Sequence, residues 1–401
     1  MVTNPEKIQE VLTCGVERIY PSREEFEKKL MSGERLRIYL GIDPTSPHLH
    51  IGHLAPLLAL RRFQDLGHEV ILLIGDFTAQ IGDPTDKASP RQPLTARQVR
   101  EHLRTFKKQA SKVLKIGGLR GAKLKFNSQW LSKLTLANFV DLARRTTVQQ
   151  LLARDMFQER MKSDRPISLH EFVYPLLQGY DSVAMGVDVE IGGNDQTFNM
   201  LVGRDLMKSF LNKEKFVLAT RLVVNPATGK KFSKTGGALV NVDDEPNDMF
   251  VKVMAIDDAV IVAIAELATQ MPLSRVREIE VALRNGTMPP RDVKLEVAHA
   301  VVATLHSQEK ADEAKTEFIR VFSEHRAPSE IETRKIGKPQ IALFELLILT
   351  KTAGSNSEAR RLIEQGGVSL NDERRSDPNE MVHIQGQTLR VGKHRFIKII
   401  V

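Results

Sequence analysis

The chain has 401 residues, of which 41% are hydrophobic and 27% are charged, as in an ordinary globular protein of two or three domains. A single cysteine, Cys14, excludes an internal disulfide framework and a cysteine-rich zinc site and favours a reducing compartment, and no apolar run is long enough to span a membrane. The net charge of +8 favours a polyanionic partner only weakly, and the first residues do not resemble a secretory or transit peptide, so we expect a cytoplasmic protein.

The first predicted elements lead into a loop with phosphate-binding character. Residues 1–35 predict a helical arm, 36–42 the first strand of a parallel sheet, and 54–63 a helix. Backbone N–H groups at the start of a helix that follows a strand bind phosphate readily, and Gly52 lets a ligand approach the backbone. Tyr39 lies near the carboxyl end of the strand, where α/β proteins bind ligands, although core packing is the ordinary role of a strand tyrosine.

Three histidines stand in this loop, at His48, His50 and His53. His50 and His53 are three residues apart, so we expect them on one face of the first helical turn. Imidazoles at this place can donate hydrogen bonds to phosphate oxygens whose charge grows during an in-line displacement. The alternative is a metal site, but no Cys, Asp or Glu is close enough in sequence to complete a local set of ligands.

A second strand and loop follow. Residues 69–75 form a continuous apolar run, which predicts a buried parallel strand. The run leads into a glycine-containing loop with Thr78 and Asp83, and then to Lys87 and Arg91 on a stretch flanked by prolines. These two cations either reach into the site or are solvated at the surface.

The stretch from Arg91 to Phe126 is strongly basic. It holds eleven Lys or Arg residues and one acidic residue, Glu101. A solvated helix face is the usual explanation of a charge run, but so one-sided a charge repels itself unless an anion lies against it. We therefore expect part of this surface to contact a polyanion. A short strand is predicted over 123–126, and helical structure over 131–159.

Polar side chains share one face of the helix predicted over 169–183. Tyr174, Gln178 and Asp181 are spaced by four and then by three residues. Such a stripe is normally exposed, but the neighbouring Pro, Leu, Leu, Gly and Tyr favour burial here. A buried carboxylate, amide and phenol need hydrogen-bonding partners, which a bound ligand can supply.

Two glycine-containing segments complete the predicted site. A strand is predicted to end at Gly192 and Gly193, where adenosine can lie flat on the backbone and Asp195 can bind a ribose hydroxyl. Another strand is predicted over 220–224. After it, glycines bracket the lysine-rich stretch 229–237, which predicts a cationic loop able to close over a triphosphate.

The rest of the chain predicts two further regions. Residues 247–325 follow a nearly all-helical pattern, 326–340 are typical of a linker, and 341–401 predict two helices and then short strands. Arg360 and Arg361 lie on a capped helix and suit either phosphate contacts or a salt-bridged surface.

Two signatures indicate a family. Residues 50–53, His-Ile-Gly-His, resemble the HIGH signature of class I aminoacyl-tRNA synthetases, and residues 231–235, Lys-Phe-Ser-Lys-Thr, resemble their KMSKS signature. With Gly-Gly-Asn-Asp-Gln at 192–196, the chain resembles bacterial-type tyrosyl-tRNA synthetases over nearly its whole length. The resemblance implies an α/β fold with a Rossmann-like parallel-sheet catalytic domain over 1–246, which carries an N-terminal arm and a dimer-forming insertion at about 120–165.

The resemblance also implies the other domains and the partners. A helical anticodon-binding domain is expected over 247–325 and a small α+β tRNA-binding domain over 341–401. The implied reaction activates L-tyrosine with ATP to tyrosyl-adenylate and transfers tyrosine to the terminal adenosine of tRNA(Tyr). We expect a homodimer without membrane partners, Mg²⁺ delivered with ATP, and no tightly bound cofactor.

The resemblance assigns residues to each part of this reaction. The residues expected to act on the phosphates and ribose of ATP during catalysis are Thr45, His50, His53, Lys87, Arg91, Lys231 and Lys234. The residues expected to bind tyrosine are Tyr39, Thr78, Asp83, Tyr174, Gln178, Asp181 and Gln196. Further ATP-binding positions are Asp43, Gly52, Gly192, Gly193, Asp195 and Lys234. In this assignment Asp181 and Tyr39 bind the phenolic hydroxyl, Arg360 and Arg361 bind tRNA, and no residue is expected to ligate a metal.

The chain departs from the family pattern at a few positions. Leu40 stands where some members have a cysteine that reaches the ribose, and Thr197 replaces a frequent tryptophan. Phe232 and Thr235 replace Met and Ser in the second signature. Two alternatives stay open, a tryptophan-specific enzyme with the same signatures and a non-catalytic RNA-binding or splicing factor on the same scaffold.

Overall fold

The computed structural model describes residues 3–85, 94–225, 239–324, 331–392 and 395–401. The chain divides into two compact units, Met1–Ala311 and Asp312–Val401. None of the described helices combines the length and apolarity that a membrane span requires. The predicted boundaries at 246/247, 325/326 and 340/341 stay predictions.

The strands are short. They are β1 (Val16–Tyr20), β2 (Arg37–Ile42), β3 (Glu69–Ile74), β4 (Lys123–Phe126), β5 (Val189–Gly193), β6 (Phe216–Thr220), β7 (Glu332–Lys335), β8 (Gln340–Ala342), β9 (Val368–Leu370), β10 (Glu373–Arg375), β11 (Met381–His383), β12 (Thr388–Val391) and β13 (Arg395–Ile400).

Helices account for most of the remaining regular structure. They are α1 (Pro5–Thr13), α2 (Arg23–Met31), α3 (Leu54–Asp65), α4 (Ala96–Ala110), α5 (Ser128–Leu131), α6 (Leu136–Ala143), α7 (Val148–Leu152), α8 (Asp155–Lys162), α9 (Leu169–Met185), α10 (Thr197–Leu211), α11 (Pro246–Met254), α12 (Ile261–Leu267), α13 (Leu273–Arg284), α14 (Pro290–Leu305), α15 (Gln308–Phe318), α16 (Leu343–Leu349) and α17 (Asn356–Glu364). Short 3₁₀ helices cover Ile51–His53, Thr78–Gln80, Asn194–Gln196 and Asp258–Val260, and a π-helical turn covers Ile319–Ser323.

The first unit is built on a sheet whose described strands follow the order β1-β6-β5-β2-β3-β4. Strands β6, β5, β2, β3 and β4 run parallel, and β1 pairs antiparallel with β6 at one edge. The chain leaves β2 toward β3 on one side and later returns to β5 on the other. This change of direction opens a crevice at the carboxyl ends of β2, β3 and β5, where ligands bind in such sheets. The predicted Rossmann-like fold class is confirmed.

The predicted helical arm over 1–35 was wrong in its middle. It contains α1 and α2, but the residues between them form β1, the antiparallel edge strand. Gly15 ends α1 in a left-handed conformation with φ of +69°, after which Val16, Ile19 and Tyr20 favour an extended backbone. Its partner strand β6 lies about 200 residues later in the sequence, so the pairing left no local signal.

Two other boundaries needed correction. The strand predicted over 220–224 is β6 at Phe216–Thr220, so the first of two neighbouring apolar runs pairs in the sheet. The helical stretch predicted over 131–159 is divided into several helices. Thr135 and Thr147 each accept a hydrogen bond from the backbone three residues on and so begin new helices, α6 and α7.

The second unit is a small α+β unit. Its described strands form a five-stranded sheet in the order β10-β9-β12-β13-β7 and a two-stranded sheet of β8 and β11. Helices α16 and α17 pack on this core through Leu343, Leu346 and Ile363. Inside the predicted linker over 326–340, Glu332–Lys335 forms β7, a strand that the sequence did not predict and that pairs in parallel with β13.

Candidate active site

A cavity of about 350 Å³ opens at the carboxyl ends of β2, β3 and β5. Every described residue that was assigned to tyrosine, ATP or the phosphates lies on its wall. These residues are Tyr39, Asp43, Thr45, His50, Gly52, His53, Thr78, Asp83, Tyr174, Gln178, Asp181, Gly192, Gly193, Asp195 and Gln196. Four predicted cations, Lys87, Arg91, Lys231 and Lys234, lie outside the described residues.

The floor of the cavity combines a phenol and a carboxylate. Tyr39 is fully buried, and its hydroxyl shares a hydrogen bond of 2.9 Å with Ser182 Oγ. Asp181, also buried, accepts hydrogen bonds from Trp130 Nε1 at 2.7 Å and from Asn127 Nδ2 at 3.2 Å. Burial raises the pKa of Tyr39 and of Asp181 well above their ordinary values. These hydrogen bonds join Tyr39 and Asp181 to other partners, while both residues line the same cavity.

Asp43 collects hydrogen bonds in the middle of the cavity. Its Oδ2 accepts from the Tyr174 hydroxyl at 3.0 Å, and its Oδ1 accepts from Thr78 Oγ1 at 2.7 Å. Thr78 Oγ1 in turn accepts from Asn127 Nδ2 at 3.0 Å. A side chain at Gly75 would collide with Asp43 and Thr78, so this arrangement requires glycine there. Tyr174, one of the residues expected to bind tyrosine, is held by Asp43, and burial raises the pKa of its phenol.

Asp83 also lines the cavity. Its Oδ2 accepts from Gln196 Nε2 at 2.7 Å, and its Oδ1 accepts from the backbone N–H of Thr85 at 3.0 Å and from Thr85 Oγ1 at 2.7 Å. Arg154 Nη2 donates to Thr85 Oγ1 at 2.7 Å. Burial lowers the pKa of Arg154, and Asp83 opposes this change. The carboxylate is thus fixed in orientation on a wall where a cationic group of a ligand could bind.

Gln178 contacts an ion pair that the sequence did not single out. Its Nε2 donates to Glu190 Oε1 at 3.1 Å. Glu190 is paired with Lys215, and both side chains are almost fully buried. Burial lowers the pKa of Lys215, and Glu190 opposes this effect.

The two signature histidines lie side by side at the start of α3. Their ring centroids are 4.0 Å apart. The backbone N–H of Gly52 donates to His50 Nδ1 at 3.2 Å, and the backbone N–H of His50 donates to His53 Nδ1 at 3.1 Å. Because each Nδ1 accepts, the proton of the neutral ring is on Nε2 in both residues. Each ring can therefore donate a hydrogen bond from Nε2.

The loop before these histidines is held from two sides. Gln109 on α4 accepts from the backbone N–H of Leu49 at 2.6 Å and donates to the Pro47 carbonyl at 2.8 Å. On the other side, the Ile51 N–H donates to the Val240 carbonyl at 2.9 Å. The segment that directly follows residues 226–238 is thereby attached to the phosphate-binding loop.

A flat wall of backbone lies at Gly192 and Gly193. A side chain at Gly192 would approach Met200 Sδ to 2.8 Å, and one at Gly193 would approach Asp195 Oδ1 to 2.6 Å. A side chain at either position would therefore displace Met200 or Asp195 from its present place. Burial, and then the nearby Asp83, raises the pKa of Asp195 to about 6.

The remaining predicted positions lie away from these contacts. Leu40 is buried on the cavity wall, and Thr197 Oγ1 donates to the Asn194 carbonyl at 2.7 Å at the start of its own helix. In the second unit, the Arg360 guanidinium lies 4.2 Å from the centroid of the Phe344 ring, whereas Arg361 is exposed. Among the described residues, no group of three or more His, Cys, Asp or Glu side chains is arranged to hold a metal ion.

Sequence reasoning missed several residues of the cavity. Asn127 follows the predicted strand 123–126, so its place at a strand end was available as a signal. Trp130 is the single tryptophan of the chain, and this rarity was an available signal. Ser182 and Glu190 gave no local signal, because only the fold brings them to Tyr39 and Gln178.

Comparison with known families gives matches over both units. The model described as tRNA synthetases class I (W and Y) matches residues 31–323, and the model described as Tyrosine--tRNA ligase SYY-like C-terminal domain matches residues 324–397. The chain is 41% identical over 401 residues to the Tyrosine--tRNA ligase of Carboxydothermus hydrogenoformans, covering 98% of this chain and 97% of that protein. It is 39% identical to the Tyrosine--tRNA ligase of Thermotoga maritima, covering 98% of each.

Solved structures with a similar fold include two tyrosyl-tRNA synthetases. The truncated mitochondrial enzyme of Coccidioides posadasii has a TM-score of 0.62 at 22% identity, covering 78% of this chain and 90% of that one. The Archaeoglobus fulgidus enzyme complexed with L-tyrosine has a TM-score of 0.59 at 22% identity, covering 78% of this chain and 100% of that one. At this identity the structures show a shared fold alone.

Proposed function

The chain belongs to the tyrosine--tRNA ligase family of class I aminoacyl-tRNA synthetases, and on this premise we propose that its cavity binds L-tyrosine at the buried floor and ATP at the rim. Its reaction is the ATP-dependent activation of tyrosine and the charging of tRNA. The observation that carries the assignment of the floor is Asp181, a buried carboxylate held by two N–H donors in the same hollow as the Tyr39 hydroxyl. A phenolic hydroxyl would give this floor a hydrogen-bonding group that phenylalanine lacks.

The amino group of the substrate is assigned to the opposite wall. Asp83 is held by Gln196 and Thr85, and Gln178 lines the same cavity. An ammonium group would compensate the buried acidic charge of this wall, since Asp43 also lines it. Binding at both ends would place the substrate carboxylate toward the rim and the nucleotide.

The first step depends more on the relative position of the reacting groups than on proton transfer. The tyrosine carboxylate is ionised at neutral pH and attacks the α-phosphorus of ATP, which forms a P–O bond and releases pyrophosphate. His50 and His53 can donate from Nε2 to phosphate or ribose oxygens, and Thr45 stands on the same wall. Lys87, Arg91, Lys231 and Lys234 are assigned to the pyrophosphate from their sequence positions. In the second step the terminal ribose hydroxyl of tRNA takes the tyrosyl group and AMP leaves.

ATP itself is assigned to the glycine wall. Adenosine would lie against Gly192 and Gly193, where a side chain would displace Met200 or Asp195, and a ribose hydroxyl would donate to Asp195. Mg²⁺ would enter bound to the phosphates of ATP, as phosphate-bound Mg²⁺ commonly does. The cytoplasmic location stays a prediction.

Amino-acid-dependent exchange of labelled pyrophosphate into ATP tests the function. We expect exchange with tyrosine and at most a trace with phenylalanine or tryptophan. Exchange with tryptophan alone would assign the chain to the tryptophan-specific enzymes, which share the first family model. If tyrosine and ATP yield no adenylate in the purified protein, the non-catalytic scaffold is the better explanation.

We further propose that the chain forms a homodimer through the predicted insertion. Large apolar side chains are exposed on and next to this stretch, and contiguous exposed apolar surface favours association. They are Leu136 (79% exposed), Val140 (57%), Val148 (60%), Met161 (52%) and Leu169 (80%). Sedimentation should give twice the chain mass of 45.1 kDa, and the double variant Leu136→Glu, Val140→Glu should sediment as a monomer. A wild-type monomer at micromolar concentration would reject the dimer.

Transfer RNA is assigned to basic surface on each unit. On the first unit, α4 buries Val99 and Phe106 while Arg97, Arg100 and Arg104 are exposed. On the second unit Arg361 is exposed, and Arg360 is partly occupied by Phe344 and Asn379. If these cations contact phosphates, replacing Arg100 or Arg361 by Gln should weaken tRNA binding and reduce its salt dependence, without changing pyrophosphate exchange.

A further inference from the structure

A buried ion pair contacts Gln178, one of the residues assigned to the tyrosine amino group. Glu190 stands on β5 and faces the cavity, and Lys215 immediately precedes β6. Their side chains are 2% and 0% exposed. Removing two charges from water is costly, and such a pair contributes little net stability compared with apolar residues of the same volume. The fold therefore holds charge at a place where packing alone does not require it.

Space for the pair is provided by a glycine. A Cβ atom at Gly203 on α10 would lie 2.6 Å from Lys215 Nζ and 3.3 Å from Glu190 Oε2. The ammonium group therefore fits only because this helix carries no side chain there. Lys215 Nζ also donates to Ser182 Oγ at 2.9 Å, which gives the buried cation a second acceptor.

The two oxygens of Glu190 have different partners. Oε2 accepts from Lys215 Nζ and, at 3.3 Å, from Ser182 Oγ. Oε1 accepts from Gln178 Nε2 at 3.1 Å. Lys215 and Ser182 thus occupy one side of the carboxylate, and its other side is turned toward Gln178.

This division decides which way the Gln178 amide points. An ionised carboxylate can only accept hydrogen bonds, so the NH₂ end of Gln178 must face Glu190. The carbonyl Oε1 then lies at the other branch of the amide, and Gln178 lines the cavity. A carbonyl oxygen attracts an ammonium group, whereas an NH₂ group would repel it.

We propose that Glu190 and Lys215 form a positioning pair that fixes the amide of Gln178, so that its carbonyl oxygen faces the α-ammonium group of tyrosine. This inference rests on the proposed function. Glu190 does not need to touch the substrate, and Lys215 acts by occupying Oε2 and leaving Oε1 for Gln178.

Glu190→Gln tests this role, because the Lys215 ammonium group would donate its hydrogen bond to the carbonyl oxygen of the new amide. The new NH₂ group would then face Gln178, whose amide must rotate and present its own NH₂ group to the substrate. Two ligands separate this effect from general damage. Tyrosinol keeps the ammonium group, and 3-(4-hydroxyphenyl)propionate keeps the phenol without it. By calorimetric titration we expect the Kd of tyrosinol to rise about tenfold and the Kd of the propionate to change less than about twofold.

A second replacement should restore binding. In the double variant Glu190→Gln, Lys215→Met the cation is gone, so the amide introduced at position 190 can turn its carbonyl oxygen to the Gln178 amide. We expect tyrosinol affinity to return to within about threefold of the wild-type value. Glu171→Gln is the matched control, because Glu171 is an equally buried carboxylate paired with Arg160 that does not line the cavity. It should lower thermal stability and leave both affinities unchanged.

Several outcomes would overturn the inference. They are an unchanged tyrosinol Kd in Glu190→Gln, equal weakening of both ligands, and a double variant as weak as the single one. If Glu190→Gln fails to fold, Glu190→Asp takes its place. This variant keeps the charge pair with Lys215 but withdraws the carboxylate from Gln178, and the Kd changes of tyrosinol and the propionate again test the inference. If the wild-type protein binds neither tyrosine nor tyrosinol, the proposed function fails and the inference fails with it.

Discussion

The floor and the rim of the cavity are built from different chemical groups. At the floor, polar side chains from β2, α9 and the segment after β4 hold one another, as Trp130 and Asn127 hold Asp181. At the rim, the described wall consists of backbone glycines, two imidazoles and a loop attached to α4 and to Val240. The floor is fixed by contacts between side chains, whereas the rim loop is fixed through its backbone groups, by the Gln109 side chain and by the Val240 carbonyl.

Under the proposed function, this difference assigns amino-acid selection to the floor and the chemistry of activation to the rim. A fixed set of buried polar groups penalises any ligand that cannot complete its hydrogen bonds, so under the proposed function the floor decides which amino acid is accepted. The rim offers donors to a nucleotide that every aminoacyl-tRNA synthetase uses, so it needs no discrimination among substrates. Changes at the floor should therefore alter amino-acid binding, and changes at the rim should alter the rate of activation.

The largest effect is expected from Asp181→Ala. The variant leaves the Trp130 and Asn127 donors and the substrate hydroxyl without their acceptor, at a cost of about 4 kcal/mol, or about a thousandfold in kcat/KM for tyrosine. The KM for ATP should stay unchanged. Steady-state pyrophosphate exchange measures both values. Asp65→Ala, which removes an exposed carboxylate from a surface ion pair, is the control, and an intact tyrosine kcat/KM in Asp181→Ala would contradict the assigned floor.

A smaller effect is expected from Lys234→Ala, which should change the rate of activation and leave tyrosine binding intact. Loss of one cation that stabilises the leaving pyrophosphate should slow tyrosyl-adenylate formation about a hundredfold in kcat. Tyrosine binding should change little, because the floor is untouched. Single-turnover kinetics and equilibrium dialysis separate the two quantities, with Lys208→Ala as a surface control. A full activation rate would remove Lys234 from the mechanism.

Asp195 should give the rim a pH dependence that the floor lacks. Its pKa is raised to about 6, so the carboxylate is ionised above this pH and gains a proton below it. The neutral acid is the weaker acceptor for a ribose hydroxyl, so the KM for ATP should rise as the pH falls through about 6, by up to about tenfold per pH unit. Asp195→Asn should show a raised KM without this dependence. An ATP KM that is flat between pH 5 and about pH 7 in the wild-type enzyme would contradict the assignment.

The smallest effect is expected from Leu40→Cys, at the boundary between floor and rim. The thiol is a weak donor that could reach the ribose, so the KM for ATP should fall about twofold to threefold while the KM for tyrosine is unchanged. Because Leu40 is buried, the smaller side chain should also lower the free energy of unfolding by about 2 kcal/mol. Chemical denaturation and exchange kinetics measure the two changes. A changed tyrosine KM would mean that Leu40 belongs to the floor.

The sequence predicted the parallel core of the fold well, because its signals are local. The apolar run of β3 and the strand at Lys123–Phe126 were placed correctly. The errors fall where distant segments decide the structure. The edge strand β1 and the strand β7 each pair with a partner far along the chain, so no local pattern could show them.

The candidate site was likewise predictable only in part. Motifs at strand ends predicted which residues would gather in the cavity, since the fold brings such ends together. They did not predict which side chains would bond to each other. Tyr174 is held by Asp43 and Tyr39 by Ser182, and neither pair can be derived from spacing, because the partners come from different elements.

Trp130 has a practical consequence. It is the single tryptophan of the chain, and its indole N–H donates to Asp181, the group assigned to the substrate hydroxyl. Its fluorescence therefore arises from one known location and is sensitive to the polarity at that location. Stopped-flow mixing at an excitation wavelength selective for indole would follow occupation of the floor in real time, in the unlabelled protein and before any nucleotide is added.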